Sequence, residues 1–201
     1  MSDIAILVLA AGKSSRMKTP KQLLQIKGKT MLQFVLEKAI EIAPKQTFCT
    51  LGNNYRKIKE KIDLDEVSFI HNSNYSEGIS ESIKAGLHYF NQNKYPIKAV
   101  LILLGDQPAI EIEYLENLIK LWKKNPCKII ASSYHSNPGV PAIFPNNFWE
   151  ELEQIEGDKG AKKMMLKNQK NTILSTFKAD LTDIDTLEEY QNYINQLNKL
   201  S

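Results

Sequence analysis

Two kinds of apolar run alternate along the chain: short stretches apolar at almost every position, and longer ones whose apolar residues recur every third or fourth position. Residues 4–11 are of the first kind, running unbroken from Ile4 to Ala11. Continuous apolarity over so few residues is the pattern of a parallel-sheet strand covered by helices on both faces. Residues 99–104 repeat it and stop at Gly105-Asp106. Residues 31–43 are of the second kind, with Leu32, Val35, Leu36, Ala39, Ile40 and Ala43 at helical spacing and Pro44 to end the helix. The same reasoning predicts strands at 47–51, 67–70 and 128–132, and helices at 55–62, 77–90 and 112–123. In the helix at 77–90, Ile79, Ile83, Leu87 and Phe90 share one face.

Alternation of strand and helix implies a parallel sheet flanked on both sides, because parallel strands need crossover connections. Ligands of such sheets bind beyond the carboxyl ends of the strands. The residues richest in chemistry fall there: the loop after Ala11, and Gly105-Asp106. Past about residue 135 the pattern changes. Short strands at 140–144 and 172–177 flank helical segments, and 187–197 reads as a closing helix. No repeat, low-complexity tract or linker divides the chain, so one domain over 1–201 is expected.

Composition narrows the function classes. With 201 residues, 42% hydrophobic and 24% charged, the chain is ordinary for a globular domain, and a net charge of +3 gives no argument for nucleic acid. Cys49 and Cys127 make no disulfide framework and no CxxC pair. His71, His88 and His135 are isolated, and Trp122 and Trp149 read as packing residues. No run approaches a membrane span, and the start lacks the basic region and cleavage site of a leader, so a cytoplasmic protein is expected.

The segment Leu9-Ala10-Ala11-Gly12-Lys13-Ser14-Ser15-Arg16-Met17, leading to Lys21, carries the first candidate chemistry. Small residues let backbone N–H groups approach a ligand, and such a loop after a buried strand is a natural anion nest. Arg16 and Lys21 would add a planar fork and a point charge for phosphate oxygens. An ordinary βα turn with exposed basic residues meets the same spacing. Two familiar phosphate loops are excluded: GxxxxGK[ST] needs a glycine where Leu7 stands, and Gly12 alone does not make GxGxxG. Asp106 at a strand end suits either a turn or Mg²⁺, which prefers hard oxygen ligands. Asp183 and Asp185, two apart, share a face if extended, and either could instead cap the helix at 187. Ser80 and Ser82 lie near a predicted helix start, where capping is an equal alternative to ligand contact.

The first segment, followed by Pro20-Lys21-Gln22-Leu23-Leu24, closely resembles the signature of the MobA-like NTP transferases, and within them the MocA-type molybdenum cofactor cytidylyltransferases. Further matches follow in order: Gly78 to Gly86 resembles a Gly-x-x-x-Ser-x-x-x-Gly segment; Leu103-Leu104-Gly105-Asp106-Gln107-Pro108 an LxGDQP motif; Gly139-Val140-Pro141-Ala142-Ile143-Phe144 a GxPxxF stretch; Gly157-Asp158-Lys159-Gly160-Ala161 a GDxGAR; and Asp183-Ile184-Asp185-Thr186 a DIDT. Lys162 replaces the usual Arg, Lys18 the usual Gly, and Asn137-Pro138-Gly139 lacks an earlier glycine.

The resemblance implies a Rossmann-like three-layer α/β/α fold of the nucleotide-diphospho-sugar transferase or glycosyltransferase-A type, with a mainly parallel sheet. It implies a nucleotide-binding part over about 1–135 and an acceptor-side part over about 136–201. Leu9, Ala10, Ala11, Gly12, Ser14, Arg16, Lys21, Gly78, Ser80, Ser82 and Asp106 would hold the nucleotide, with Arg16, Lys21 and Asp106 catalytic. Mg²⁺ would sit on Asp106 and Asp185 with Asp183 in support, and Gln107, Gly139, Pro141, Gly157, Asp158 and Gly160 would face the acceptor. The implied reaction moves CMP from CTP to molybdopterin and releases pyrophosphate. Ala11 favours CTP over GTP, because guanylyl relatives have Gly there. Sugar, choline or methylerythritol phosphate stays open as acceptor. So does a non-catalytic carrier delivering the cofactor to a molybdoenzyme in transient contact, although a pure binder has no need of two metal carboxylates. A dehydrogenase-like dinucleotide binder is disfavoured by the missing GxGxxG.

Overall fold

A computed structural model describes residues 3–12 and 19–199. Its elements are β1 (Ile4–Leu9), a two-strand ribbon of β2 (Gln25–Ile26) and β3 (Lys29–Thr30), α1 (Met31–Ile42), β4 (Thr47–Leu51), α2 (Tyr55–Lys59), β5 (Val67–His71), α3 (Ile79–Gln92) and β6 (Ala99–Leu104). They continue as α4 (Ile112–Lys124), β7 (Ile129–Tyr134), β8 (Asn137–Pro145), α5 (Trp149–Glu153), α6 (Gly160–Lys167), β9 (Thr172–Leu174) and α7 (Leu187–Lys199). Among the described residues, seven strands form one sheet in the order β5-β4-β1-β6-β8-β7-β9.

The two continuously apolar runs become the adjacent central strands β1 and β6, paired in parallel from Ile4↔Ala99 to Leu9↔Leu104. Strand periodicity divides their side chains between two cores. Ile4, Ile6 and Val8, with Leu101 and Leu103, face Leu32, Val35 and Leu36 of α1 and Leu115 and Leu118 of α4. Ala5, Leu7 and Leu9, with Val100 and Ile102, face Ile83, Leu87 and Phe90 of α3, Leu152 of α5 and Met164 and Met165 of α6. Helices therefore cover both faces in three layers, and the expected α/β/α fold with a mainly parallel sheet is the one observed.

β8 is the exception, antiparallel to both β6 and β7. The hairpin joining β7 to β8 turns through His135 and Ser136, whose φ values are +50° and +71°. Positive φ at both turn residues matches the right-handed twist of a tight antiparallel hairpin. β8 accordingly begins at Asn137, three residues before the expected strand at 140, and β9 ends at Leu174 rather than 177. At the other end of the chain, Tyr190, Tyr193, Ile194 and Leu197 of α7 pack on a small cluster of Ile26, Met31 and Ile184.

Because β1, β4 and β6 are mutually parallel and in register, with Leu9 beside both Thr50 and Leu104, their carboxyl ends open at one edge. Gly52, just past β4, lets that edge close up: a Cβ there would lie 2.6 Å from the Ala11 carbonyl oxygen and 2.7 Å from Tyr75 Cβ. Backbone cannot yield as a flexible side chain does. Gly52→Ala is therefore expected to destabilise the protein by about 1–3 kcal/mol, the cost of overpacking. A thermal melt within error of wild type would refute that close approach.

Candidate active site

At the carboxyl edge lies a cavity of about 500 Å³, within the size range of nucleotide and drug-sized ligand sites. Leu9, Ala10, Ala11 and Gly12 form one wall, Tyr75 to Ile79 with Ser82 another, and Leu104, Gly105 and Asp106 the floor. Lys21, Gln22 and Asp158 complete the lining. Backbone ladders continue past the strands into this edge, with the Ala10 N–H donating to Thr50 O at 3.0 Å and the Gly105 N–H to Leu9 O at 3.0 Å. Gln22, only 3% exposed, donates its amide to Ala10 O at 2.9 Å and to Gly12 O at 3.2 Å. Its side chain thus stands in for a ladder partner at Ala10 and Gly12.

Lys21 occupies a single 3-10 turn, Lys21–Leu23, beside the cavity. Its ammonium pairs with Asp106 Oδ2 and, at 2.7 Å, with Asp185 Oδ1. Burial works to lower the Lys21 ammonium, but Asp106 and then Asp185 outweigh it, and the net shift is upward. Asp106 Oδ1 is buried and has no hydrogen-bond partner among the described residues. Burial, with Asp106 and Asp185 as neighbouring charges, pushes the carboxyl of Asp183 up to about 6. One ammonium therefore faces the three carboxylates of Asp106, Asp183 and Asp185 among the described residues. Such an excess of negative charge gains nothing as a structural ion pair, since partly buried charges are costly unless balanced. It suits a cation.

Asp185 comes to Asp106 through its neighbour: the Ile184 N–H donates to Asp106 O at 2.9 Å, and Ile184 itself is buried. Neither aspartate caps α7. Thr186 and Glu189 do so reciprocally, with the Thr186 N–H donating to Glu189 Oε2 at 2.8 Å and the Glu189 N–H to Thr186 Oγ1 at 3.1 Å. Glu189 also accepts the Asp185 N–H at 2.8 Å, and these hydrogen bonds hold its carboxyl below the usual range. The Asp183 and Asp185 carboxyls are thereby left for other work.

The structure brings Leu9, Ala10, Ala11, Gly12, Lys21, Gly78, Ser82, Asp106 and Asp158 onto one cavity. Ser14 and Arg16 lie outside the described residues. Ser80 is 0% exposed, and neither it nor Ser82 caps α3, which starts after Gly78. Asp158 fills that place: its Oδ1 accepts the Ile79 N–H at 3.0 Å. Gly78, at φ +112°, allows the approach, since a Cβ there would lie 2.7 Å from the Gly157 carbonyl carbon. Gly157 and Asp158, expected on the acceptor side, thus sit against the same wall as Gly78. Gln107 and Gly139 gather elsewhere, around Tyr134, Pro141 O accepts from Ser132 Oγ at 2.7 Å, and Gly160 packs on Ile155 at the start of α6.

Gln22, Gly52 and Tyr75 were not singled out by sequence. Gln22 had a signal, its place within the Pro20–Leu24 match, but a glutamine serving backbone carbonyls carries no mark of its chemistry.

A family model described as MobA-like NTP transferase domain matches residues 6–172. The bifunctional protein GlmU of Buchnera aphidicola subsp. Schizaphis graminum is 27% identical over 201 residues, covering 98% of this chain. The chain spans only 41% of that relative's length. Among solved structures, Rv0371c of Mycobacterium tuberculosis is 26% identical with a TM-score of 0.84, over 96% of this chain and 97% of that one. Its complex with manganese aligns with a TM-score of 0.81 at 24% identity, over 96% of this chain and 99% of that one. No described helix is long and apolar enough to cross a membrane.

Proposed function

The chain belongs to the MobA-like NTP transferases, and from that premise we propose that it is a divalent-metal-dependent cytidylyltransferase acting on molybdopterin. In the reaction, a phosphate oxygen of the acceptor attacks the α-phosphorus of CTP, a P–O bond forms, the α–β bridge breaks and pyrophosphate leaves. One observation carries this reading: Lys21, Asp106 and Asp185 meet at the mouth of a cavity walled by a backbone-rich loop.

Asp106 and Asp185 fit Mg²⁺. That ion takes hard oxygens in octahedral array and is usually held by one or two carboxylates together with substrate phosphates, rather than by an all-protein cage. The described residues hold no cluster of three or more His, Cys, Asp and Glu side chains arranged as such a cage. When bound, the cation would neutralise charge on the phosphate oxygens of both substrates. The manganese bound by Rv0371c supports a divalent ion at this kind of fold.

The chain's own groups do the positioning. Backbone of Ala10 to Gly12 approaches the nucleotide with only methyl groups in the way, and Ala11 narrows the space for a purine. Lys21 neutralises the carboxylates until the triphosphate arrives, then turns to its oxygens, and Arg16 adds a second cation to the same loop. A terminal phosphate is already ionised at neutral pH, so no histidine base or serine nucleophile is needed, and catalysis rests on alignment and charge.

Pyrophosphate release measured with each NTP, with and without molybdopterin, tests the reading. CTP with molybdopterin should exceed GTP by on the order of 10²-fold in kcat/KM, the value of two mismatched buried hydrogen-bonding groups. Equal rates with GTP would sink the cytidylyl assignment. Turnover with a sugar, choline or methylerythritol phosphate and none with molybdopterin would replace the acceptor, and no pyrophosphate with any pair would favour a carrier.

A further inference from the structure

Gln107 follows the first cation ligand along the chain, yet its side chain serves the second. It is 2% exposed, and its Nε2 donates to Leu181 O at 2.9 Å and to Tyr134 Oη at 2.8 Å. Leu181 lies four residues before Asp185, in a stretch between β9 and α7 that forms no helix or strand. The Gln107 amide also faces the Asp183 carboxylate. At the Asp185 end of this stretch a further tie to the sheet edge is the Ile184 N–H on Asp106 O, while at its start the Ser175 N–H donates to Ala131 O at 2.8 Å. One hydrogen bond alone leaves a pivot; two, at 181 and 184, fix a direction.

We propose that Gln107 is a positioning residue: it fastens the stretch carrying Asp185 to the strand end carrying Asp106, and so sets the separation of the two carboxylates. The proposal rests on the reading of those carboxylates as cation ligands.

The surroundings explain why an amide stands here. Tyr134 is immobilised, its ring against Gly139, where a Cβ would lie 2.5 Å from Tyr134 Cε2. Its hydroxyl gives its one proton to Val140 O at 2.5 Å. Toward Gln107 it therefore offers only lone pairs, which turns the amide nitrogen, and not the oxygen, to Leu181. Gln107 Oε1, meanwhile, is buried without a hydrogen-bond partner among the described residues. A buried acceptor left unmet costs stability; an apolar side chain of equal length would remove that cost but leave Leu181 O without its donor. The two effects oppose one another, and what remains distinctive of the amide is where it holds the chain.

Full-length Gln107→Met, Tyr134→Phe and Asp106→Asn proteins would be compared with wild type by thermal melt, Mn²⁺ titration and steady-state kinetics. Gln107→Met should melt close to wild type yet bind Mn²⁺ about 10-fold more weakly, with a higher metal requirement and a lower kcat. Tyr134→Phe should melt earlier but bind Mn²⁺ within about 2-fold of wild type, because the Leu181 contact survives. Wild-type Mn²⁺ affinity in Gln107→Met, while Asp106→Asn loses binding, would overturn the proposal and spare the cation site. Mn²⁺ binding unchanged in Asp106→Asn would remove the cation site and this proposal with it. Equal weakening in Gln107→Met and Tyr134→Phe would also overturn it, showing general loosening. Should Gln107→Met fail to fold, Gln107→Asn, too short to span both contacts, carries the same expectations.

Discussion

Replacing Asp106 by asparagine is expected to slow pyrophosphate release at least ~10²-fold at saturating Mg²⁺, the scale for losing one preorganised charge-stabilising group. The change conserves size at the end of β6, where the backbone is held by the Gly105 and Ile184 hydrogen bonds, so the fold should survive. Circular dichroism should match wild type while Mn²⁺ affinity collapses. Stripping divalent metal from the wild-type protein should give the same inactive state, reversibly. A variant turning over at near wild-type rate would return Asp106 to a turn residue whose pairing with Lys21 is merely structural.

Lys21→Met carries the second large effect, and it separates two readings of the same ion pairs. If the ammonium only ties Asp106 to Asp185, its loss should lower the melting temperature and leave nucleotide affinity unchanged. If it is a counter-ion that yields to the incoming metal and moves to phosphate, two changes of opposite sign follow. Free Mn²⁺ should bind more tightly, by about 10-fold, because nothing need be displaced from the carboxylates. The triphosphate should bind at least ~10-fold more weakly, the equivalent of about 1.4 kcal/mol. Titration of each ligand separately reads both. Weaker binding of both ligands would contradict the exchange.

The sheet was legible because its centre is apolar on both sides: the runs at Ile4 and Ala99 have the pattern of buried parallel strands, and β4 and β6 fall where the pattern puts them. The direction of β8 was not. His135 and Ser136 adopt positive φ without the Gly or Asn that announces such a turn, so the hairpin left no trace in the sequence. In the site, Lys21, Asp106 and Asp185 stand out as charges at strand ends and motif positions, and the fold brings them together. The place of Asp158 could not be read, because its contact with Ile79 spans 79 positions and depends on how two loops meet. Gln107 shows the same limit differently. Its motif drew attention to a ligand, while its amide turns inward to Leu181.

The two carboxylates are anchored very differently. Asp106 lies two residues past β6, a strand buried on both faces, in a turn fastened to β1 by the Gly105 N–H on Leu9 O. Asp185 hangs on an irregular stretch held by the Leu181 and Ile184 hydrogen bonds and by α7, which has no fully buried residue. Opening free energies within one native protein run from near zero at such edges up to the global value in central strands. One half of the pair is thus tied to the centre of the sheet, and the other to its periphery, where the Lys21 ion pair and the buried Ile184 hold it.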